Sequence, residues 1–246
     1  MNAFDLIYPR TWKDSTSVKA VFSTRSANWN ADREIKGLNL SVSTEDDRDV
    51  VLDNRRRFFE SLGLDEKNVA RGRQIHSNIV HIVEEGGIHS DGDGFITNIR
   101  GIAVSVLVAD CAAILLADEE AGVIGALHAG WRGTVSRIID NGIAAMLSLG
   151  AQSGRIKAYI SPCISQKCFE VGDEVAAQFP AHHVDKSYPK PHVNIRGYLE
   201  EQLTQNGVNP SNIEHDNICT YSDHRFHSYR RDGSKSGRMM AIMWIS

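Results

Sequence analysis

A chain of 246 residues with 41% hydrophobic and 24% charged side chains has the make-up of an ordinary globule, which excludes a disordered tail protein. A formal net charge of −4 argues against non-specific binding to nucleic acid or to anionic membranes, while leaving room for a local basic pocket. The length fits one domain, residues 1–246, large enough to bury a core without staples.

The opening MNAFDLIYPRTWK has no basic start followed by an apolar run and a small-residue cleavage site, so no signal peptide is read. Four scattered cysteines, Cys111, Cys163, Cys168 and Cys219, do not make a secreted disulfide framework. A soluble, cytoplasmic protein with reduced thiols is expected. A first strand is predicted at VKAVFST, then a helix from about Asp46 to Leu62, capped by Ser43 or Thr44 and stopped by Gly63. Val51, Phe58 and Leu62 share one face of that helix.

From Ile79 to Ala129 the chain reads as short strands: IVHIV, GFIT, IAVSVLV, AAILLA and GVIGALH. Several are apolar nearly throughout, as in a sheet covered on both faces. The longest apolar stretch, GIAVSVLVADCAAILLAD, is interrupted by Asp110 and fits two buried strands with a turn better than a membrane span. Gly133 to Leu149 reads as one amphipathic helix, with Gly142 on its buried side allowing close approach. RIKAYIS is a strand, VGDEVAAQF and NIRGYLEEQLTQNG are helices, and MMAIMWI is a terminal strand. Strands and helices mix without strict βαβ order. The expected fold is therefore α/β in the mixed α+β sense, one layered domain with mixed sheets flanked by helices.

Familiar signatures are missing. The chain has no GxxxxGKS/T, GxGxxG after a strand, HExxH, GxSxG, CxxC or HxH, and Pro162-Cys163 lacks the second cysteine of a zinc deaminase. Instead, three polar segments sit where apolar strands start or run out: Arg73-Gln74-Ile75-His76-Ser77, Asp110-Cys111, and His128 leading into Ala129-Gly130-Trp131-Arg132-Gly133. His76, Cys111 and His128 are a chemically sensible zinc set, two imidazoles and a thiolate with a fourth position open. Their separations impose no local geometry, and a cysteine in an apolar run is more often a buried inert thiol. Asp110 beside Cys111 raises the ligand reading and leaves both open, since a carboxylate in an apolar run needs a partner or a task. The Gly130–Thr134 turn is either a tight strand-to-helix connection around a packed Trp131 or an anion site flanked by Arg132. Near the C-terminus, His224 to Gly233 with Lys235 and Arg238 forms a cationic cluster, either a solvated loop or an anion pocket.

Together these segments resemble the YfiH family, also called the laccase-domain or purine nucleoside phosphorylase family, which includes peptidoglycan-editing factors. The pieces that carry the resemblance are Phe22-Ser23-Thr24-Arg25, Leu38-Asn39-Leu40, Gln74-Ile75-His76-Ser77, Asp93-Gly94-Phe95-Ile96-Thr97, Ala109-Asp110-Cys111, His128-Ala129-Gly130-Trp131-Arg132-Gly133, Phe169-Glu170-Val171-Gly172 and Ser228-Tyr229-Arg230-Arg231-Asp232-Gly233. They run in family order along nearly the whole chain. Departures fall at Ala113, where the family usually has Pro, and around Ile164, where its Gly-Pro pairs are replaced by Ser161-Pro162-Cys163 and Ser165-Gln166.

The resemblance implies an α/β fold shared with certain cysteine deamidase toxins, and His76, Cys111 and His128 as zinc ligands, with copper also suited to N/S ligation. It implies phosphorolysis of adenosine, inosine and S-methyl-5′-thioadenosine to free base and sugar 1-phosphate, with adenosine deamination alongside. Polyphenol oxidation fits poorly, because it needs several copper ions on an imidazole-rich set. Arg25, Arg73, Arg132, Ser228 and Arg231 are the expected phosphate and substrate contacts, and Asp110, Glu170 and Arg132 the expected catalytic groups. The partners would be a purine nucleoside and phosphate, with no nucleic acid or membrane and the oligomeric state open. Two rivals use the same residues differently. In one, Cys111 is the nucleophile and His128 the base of a metal-free amidohydrolase acting on a cell-wall precursor. The other is a purine-binding or partner-binding module without turnover.

Overall fold

Apolar runs that read as doubly covered strands become the middle of two six-stranded mixed sheets in the computed structural model, which describes residues 4–246. The first three residues of the expected 1–246 unit lie outside the described residues. One sheet runs, edge to edge, Leu6–Ile7, Val18–Ser23, Met239–Ile245, Ala103–Val108, Val69–Gly72 and Gly87–His89. The other runs Ile213–His215, Lys157–Ile160, Ala112–Asp118, Val123–Ala129, Gly94–Thr97 and Val80–Ile82. A small pair, Val184–Asp185 with His192–Val193, stands apart.

The sheets pack face to face. Phe22, Val104, Val106, Ala241 and Met243 of the first meet Phe95, Ala113, Leu115, Ile124, Ala126 and Tyr159 of the second. The alternate residues face outward: Ile114, Leu116 and Leu127 pack under helices Ile138–Ser148 and Ile195–Gln205. On the opposite side, Val21, Val69 and Ile242 pack under Phe58 and Phe59 of helix Arg48–Ser61. Four layers result, helix, sheet, sheet, helix. Both faces of each central strand are covered, so every residue of Ala112–Asp118 and Val123–Ala129 is buried. This is the mixed α/β architecture the pattern predicts.

Three local expectations are corrected. The cap of helix Arg48–Ser61 is Asp47, whose carboxylate accepts from the Asp49 and Val50 N–H groups; Thr44 instead hydrogen-bonds Asn39. The helix expected over 133–149 is two, Trp131–Val135 and Ile138–Ser148, broken where Arg137 takes a left-handed φ of 63°. Arg137 is pinned there because its guanidinium reaches Asp140 at 2.9 Å and Gln205 at 3.0 Å. The third concerns the long apolar stretch. Its halves, Ala103–Val108 and Ala112–Asp118, belong to different sheets, so 109–111 is a crossover between layers rather than a hairpin turn. Gly142 does allow close approach: a Cβ there would lie 2.6 Å from Leu127 Cδ1. Among the described residues no helix is long and apolar enough to cross a membrane.

Candidate metal centre and catalytic cleft

The crossover at 109–111, the loop after Val69–Gly72 and the end of strand Val123–Ala129 meet at one rim of the two sheets. They bring the ligand atoms of His76, Cys111 and His128 within 4.8 Å of one another. The two imidazoles stand edge to face, their centroids 4.8 Å apart. His76 and Asp110 both have left-handed backbone, φ 60° and 77°. Non-glycine residues hold that conformation only where surrounding bonds fix it. For His76 the fixing bond runs from its N–H to Asp93 Oδ1 at 3.0 Å.

Asp93 organises the centre. Completely buried, it accepts hydrogen bonds from the N–H groups of Ile75, His76 and Ser77, from Ser77 Oγ, and from His128 Nδ1 at 2.7 Å. That last bond makes Nδ1 the protonated nitrogen of His128 and leaves Nε2 as the ring's ligand atom. Burial alone would raise the Asp93 carboxyl, but hydrogen bonds from His128 and Ser77 outweigh it and hold the pKa near 2. Gln74 steadies the same loop by exchanging two 2.7 Å side-chain hydrogen bonds with the Leu107 backbone.

Cys111 and His128 charge one another. Burial favours the neutral thiol, yet the charge of His128 and hydrogen bonds from both imidazoles bring Cys111 from 9.0 down to about 6. Burial also opposes an imidazolium, and is outweighed by the thiolate and Asp93, which carry His128 up to about 9. The sign is then clear for the metal-free protein: the thiolate forms as pH rises through about 6, and the imidazolium is lost as pH rises through about 9. Iodoacetamide should therefore alkylate Cys111 of chelator-treated protein with a midpoint well below that of an ordinary thiol. A midpoint at the ordinary thiol value would contradict the coupling.

Gly130 closes the centre from below. A Cβ there would sit 2.9 Å from His76 Cδ2 and 3.1 Å from Cys111 Sγ. Neither neighbour can retreat without opening the triad. Gly130→Ala is expected to lower metal affinity by at least about tenfold while changing the melting temperature little, read by competition with a chelator. Unchanged metal affinity would show that the ligands have slack.

Asp110 fastens a distant segment to this rim. Its Oδ1 accepts from Thr220 Oγ1 and its Oδ2 from the Arg230 N–H, both at 2.7 Å. Helix Tyr229–Asp232, capped by the buried Ser228, is thereby held over the cleft. The cleft encloses about 970 Å³, at the upper end of the range of about 300–1,000 Å³ for small-molecule sites. Trp131, Phe169 and Tyr229 supply aromatic surface; Arg71, Arg73, Arg230 and Arg238 supply positive charge. Arg71 and Arg73 are paired with Glu66 and Asp91. The Arg238 guanidinium donates to the backbone carbonyls of Ser236 and Gly237 and lies over the Tyr229 ring. Arg230 reaches the Glu170 carbonyl and lies over Phe169.

Of the residues anticipated from sequence, His76, Cys111, His128, Asp110 and Arg73 line the cleft together. The others lie elsewhere. Arg132 is exposed on the Trp131 ring, Arg25 reaches the Lys36 carbonyl, and Glu170 pairs with Lys190. Arg231 spends its guanidinium on the carbonyls of Thr220, Tyr221 and Phe226 and on Asp232, and Ser228 on its cap. Asp93 was not anticipated, although a carboxylate opening the apolar run GFIT is the same signal that marked Asp110. Arg238 and Tyr229 belong to the cationic cluster seen in sequence, but nothing local distinguishes them within it.

The donor set fits a metal ion: a depressed thiol, an imidazole with its ligand nitrogen freed by a carboxylate, a second imidazole, and a glycine cradle. Residues 19–246 match the family model described as multi-copper polyphenol oxidoreductase laccase. A purine nucleoside phosphorylase of Deinococcus radiodurans is 38% identical over 93% of this chain and 90% of its own. A protein named adenosine deaminase RL5, from an unknown prokaryotic organism, is 35% identical over 88% and 90%. The crystal structure of the Bacillus licheniformis hypothetical protein YfiH superposes over the full length of both chains with a TM-score of 0.90 at 23% identity, a likeness of fold.

Proposed function

The chain belongs to the YfiH, or laccase-domain, family, and from that premise we propose that it is a zinc-dependent purine nucleoside phosphorylase with adenosine deaminase activity. Adenosine, inosine and S-methyl-5′-thioadenosine are the proposed nucleosides. The observation that carries this reading is a cleft with aromatic walls and arginines that ends on the His76–Cys111–His128 centre.

In phosphorolysis a phosphate oxygen attacks the sugar C1′, and the base leaves with the electron pair of the glycosidic bond. The chain has to hold a dianion and a flat base in line. Arg238 and Arg230, neither matched to a carboxylate among the described residues, and Arg73 at the rim are suited to the phosphate. Trp131, Phe169 and Tyr229 offer faces on which a purine can stack. His76, Cys111 and His128 would hold the zinc, which when bound would polarise a substrate oxygen or activate water for deamination. Asp93 keeps His128 in the ligating tautomer. Asp110 is the better placed of the two proposed proton-transfer carboxylates, since it lines the cleft whereas Glu170 is engaged by Lys190. A cytoplasmic setting, where thiols stay reduced, suits Cys111 as a ligand.

The test is release of adenine or hypoxanthine by purified protein with and without phosphate. Base release that needs phosphate and yields sugar 1-phosphate in equal amount is expected; release at the same rate without phosphate would overturn the reading. One observation favours a second reading. Cys111, His128 and Asp93 are also arranged as a nucleophile, its base and the carboxylate orienting that base. In that case the protein would be a metal-free amidohydrolase. Stoichiometric zinc bound through Cys111 would remove that possibility, because no free thiolate remains.

A further inference from the structure

A second group of convergent ligands lies on the outer helical layer, outside the cleft lining. His182 and His183 form the end of the short 3-10 turn Ala181–His183, and Glu201 projects from helix Ile195–Gln205. Neighbouring residues on such a turn ordinarily diverge, because each step rotates about 120°. Here both rings turn to the same point: their centroids are 4.3 Å apart, and both Nε2 atoms lie 2.7 Å from a single oxygen, Glu201 Oε2. The turn is fixed by backbone bonds from His183 N–H to Pro180 and from Asn194 N–H to the His183 carbonyl. Glu201 is fixed too. Its other oxygen accepts from Gln205 Nε2 at 2.8 Å, and Gln205 in turn accepts from Arg137, so the guanidinium stays on the far side of the amide.

We propose that His182, His183 and Glu201 form a second divalent-metal site, selective for a borderline ion such as zinc and sharing no ligand with the cleft centre. Two imidazole nitrogens and one carboxylate oxygen make a common zinc donor set, with a fourth position left to water. Bond lengths of about 2.0–2.2 Å to such an ion put tetrahedral ligands about 3.3 Å apart. The present 2.7 Å contacts need to open by about 0.6 Å to reach that spacing. Binding moves the proton of each neutral imidazole from Nε2 to Nδ1, so that both Nε2 lone pairs and the Glu201 carboxylate face a single ion. His182 is mostly exposed and His183 mostly buried, so the ion has an entry path and one rigid ligand. The site ties the 181–183 turn to helix Ile195–Gln205 beside the apolar cluster of Val171, Phe179, Val193 and Tyr198. Phe169 and Trp131 pack on that cluster and also line the cleft, so the second ion braces one cleft wall from behind.

The test measures zinc bound per chain in the full-length protein, after stripping with chelator and dialysis against excess Zn²⁺ at neutral pH. His182→Ala and Glu201→Gln are each expected to bind one zinc fewer than wild type and to keep phosphorolysis. Cys111→Ser also loses one, and its remaining zinc disappears when His182→Ala is added. Should the cleft hold no zinc, Cys111→Ser would match wild type while His182→Ala still loses one ion, so failure of either site is distinguishable. Cobalt loaded into Cys111→Ser supplies a second readout: visible d–d bands without a thiolate charge-transfer band, absent after His182→Ala. His182 is 65% exposed, and Glu201→Gln preserves shape, so neither variant should unfold. Zinc content equal to wild type in both His182→Ala and Glu201→Gln would overturn the proposal.

Discussion

Cys111→Ala should lower kcat/KM for phosphorolysis by about a hundredfold to ten-thousandfold, and should strip the zinc from the cleft. The magnitude follows from the metal. A bound zinc acting as a Lewis acid supplies several kcal/mol of transition-state charge stabilisation, and losing a thiolate ligand forfeits about 3–5 kcal/mol of it. Each 1.36 kcal/mol of lost transition-state stabilisation is about a factor of ten. Ala removes the only sulfur among the three convergent ligands and leaves two imidazoles, a weaker set. Steady-state kinetics beside zinc analysis of the same preparation makes the measurement. A variant that kept its zinc and most of its activity would show that Cys111 is core filling after all.

Asp93→Asn should weaken zinc binding by about 10–100-fold, as for other partners of metal-bound histidines. The carboxylate divides its load between two oxygens: Oδ1 serves the His76 N–H and His128 Nδ1, and Oδ2 serves the Ile75 and Ser77 N–H groups and Ser77 Oγ. An amide can accept on one side only. Turned to keep the Oδ2 bonds, its NH₂ faces His128 Nδ1, which must become the acceptor. The ring proton then moves to Nε2, the nitrogen that should ligate. Turned the other way, three loop donors lose their partner, at about 1–3 kcal/mol for each one left unsatisfied. Acid unfolding should change as well. The Asp93 pKa is depressed from 3.8 to about 2, so its contribution to stability is complete above about 4 and lost as pH falls toward 2. Asp93→Asn is expected to flatten that limb of the stability curve. Zinc affinity and acid limb both unchanged would mean that the imidazole is held by something else.

The doubly covered strands were legible because Ala112–Asp118 and Val123–Ala129 are apolar at almost every position, and only a sheet buried on both faces uses such runs. Strands Val69–Gly72 and Gly87–His89 were not, since Arg71, His89 and two glycines interrupt any pattern. Val69–Gly72 exists because it pairs with the ladder at Ala103–Val104, and Gly87–His89 because it pairs in turn with Val69–Gly72. The break at Arg137 was equally hidden. Locally the segment is a good amphipathic helix, and the kink depends on Gln205, far along the chain.

At the site, residue type alone made His76, Cys111 and His128 candidates, because thiolate and imidazole are chemically conspicuous and Asp110 beside Cys111 needed a reason. Which arginines face the cleft was another matter. Arg231 and Arg238 look alike within one basic cluster, yet Arg231 is consumed by three backbone carbonyls and Asp232, while Arg238 is turned toward the cleft. Length and a near-neutral charge balance bounded the class of protein, and periodicity determined its layers, because burial writes itself locally along a strand. The tertiary structure decided what the conspicuous residues do. Hydrogen bonds and charge pairs act over a few ångströms between segments tens to more than a hundred residues apart, and no local pattern records which donor finds which acceptor.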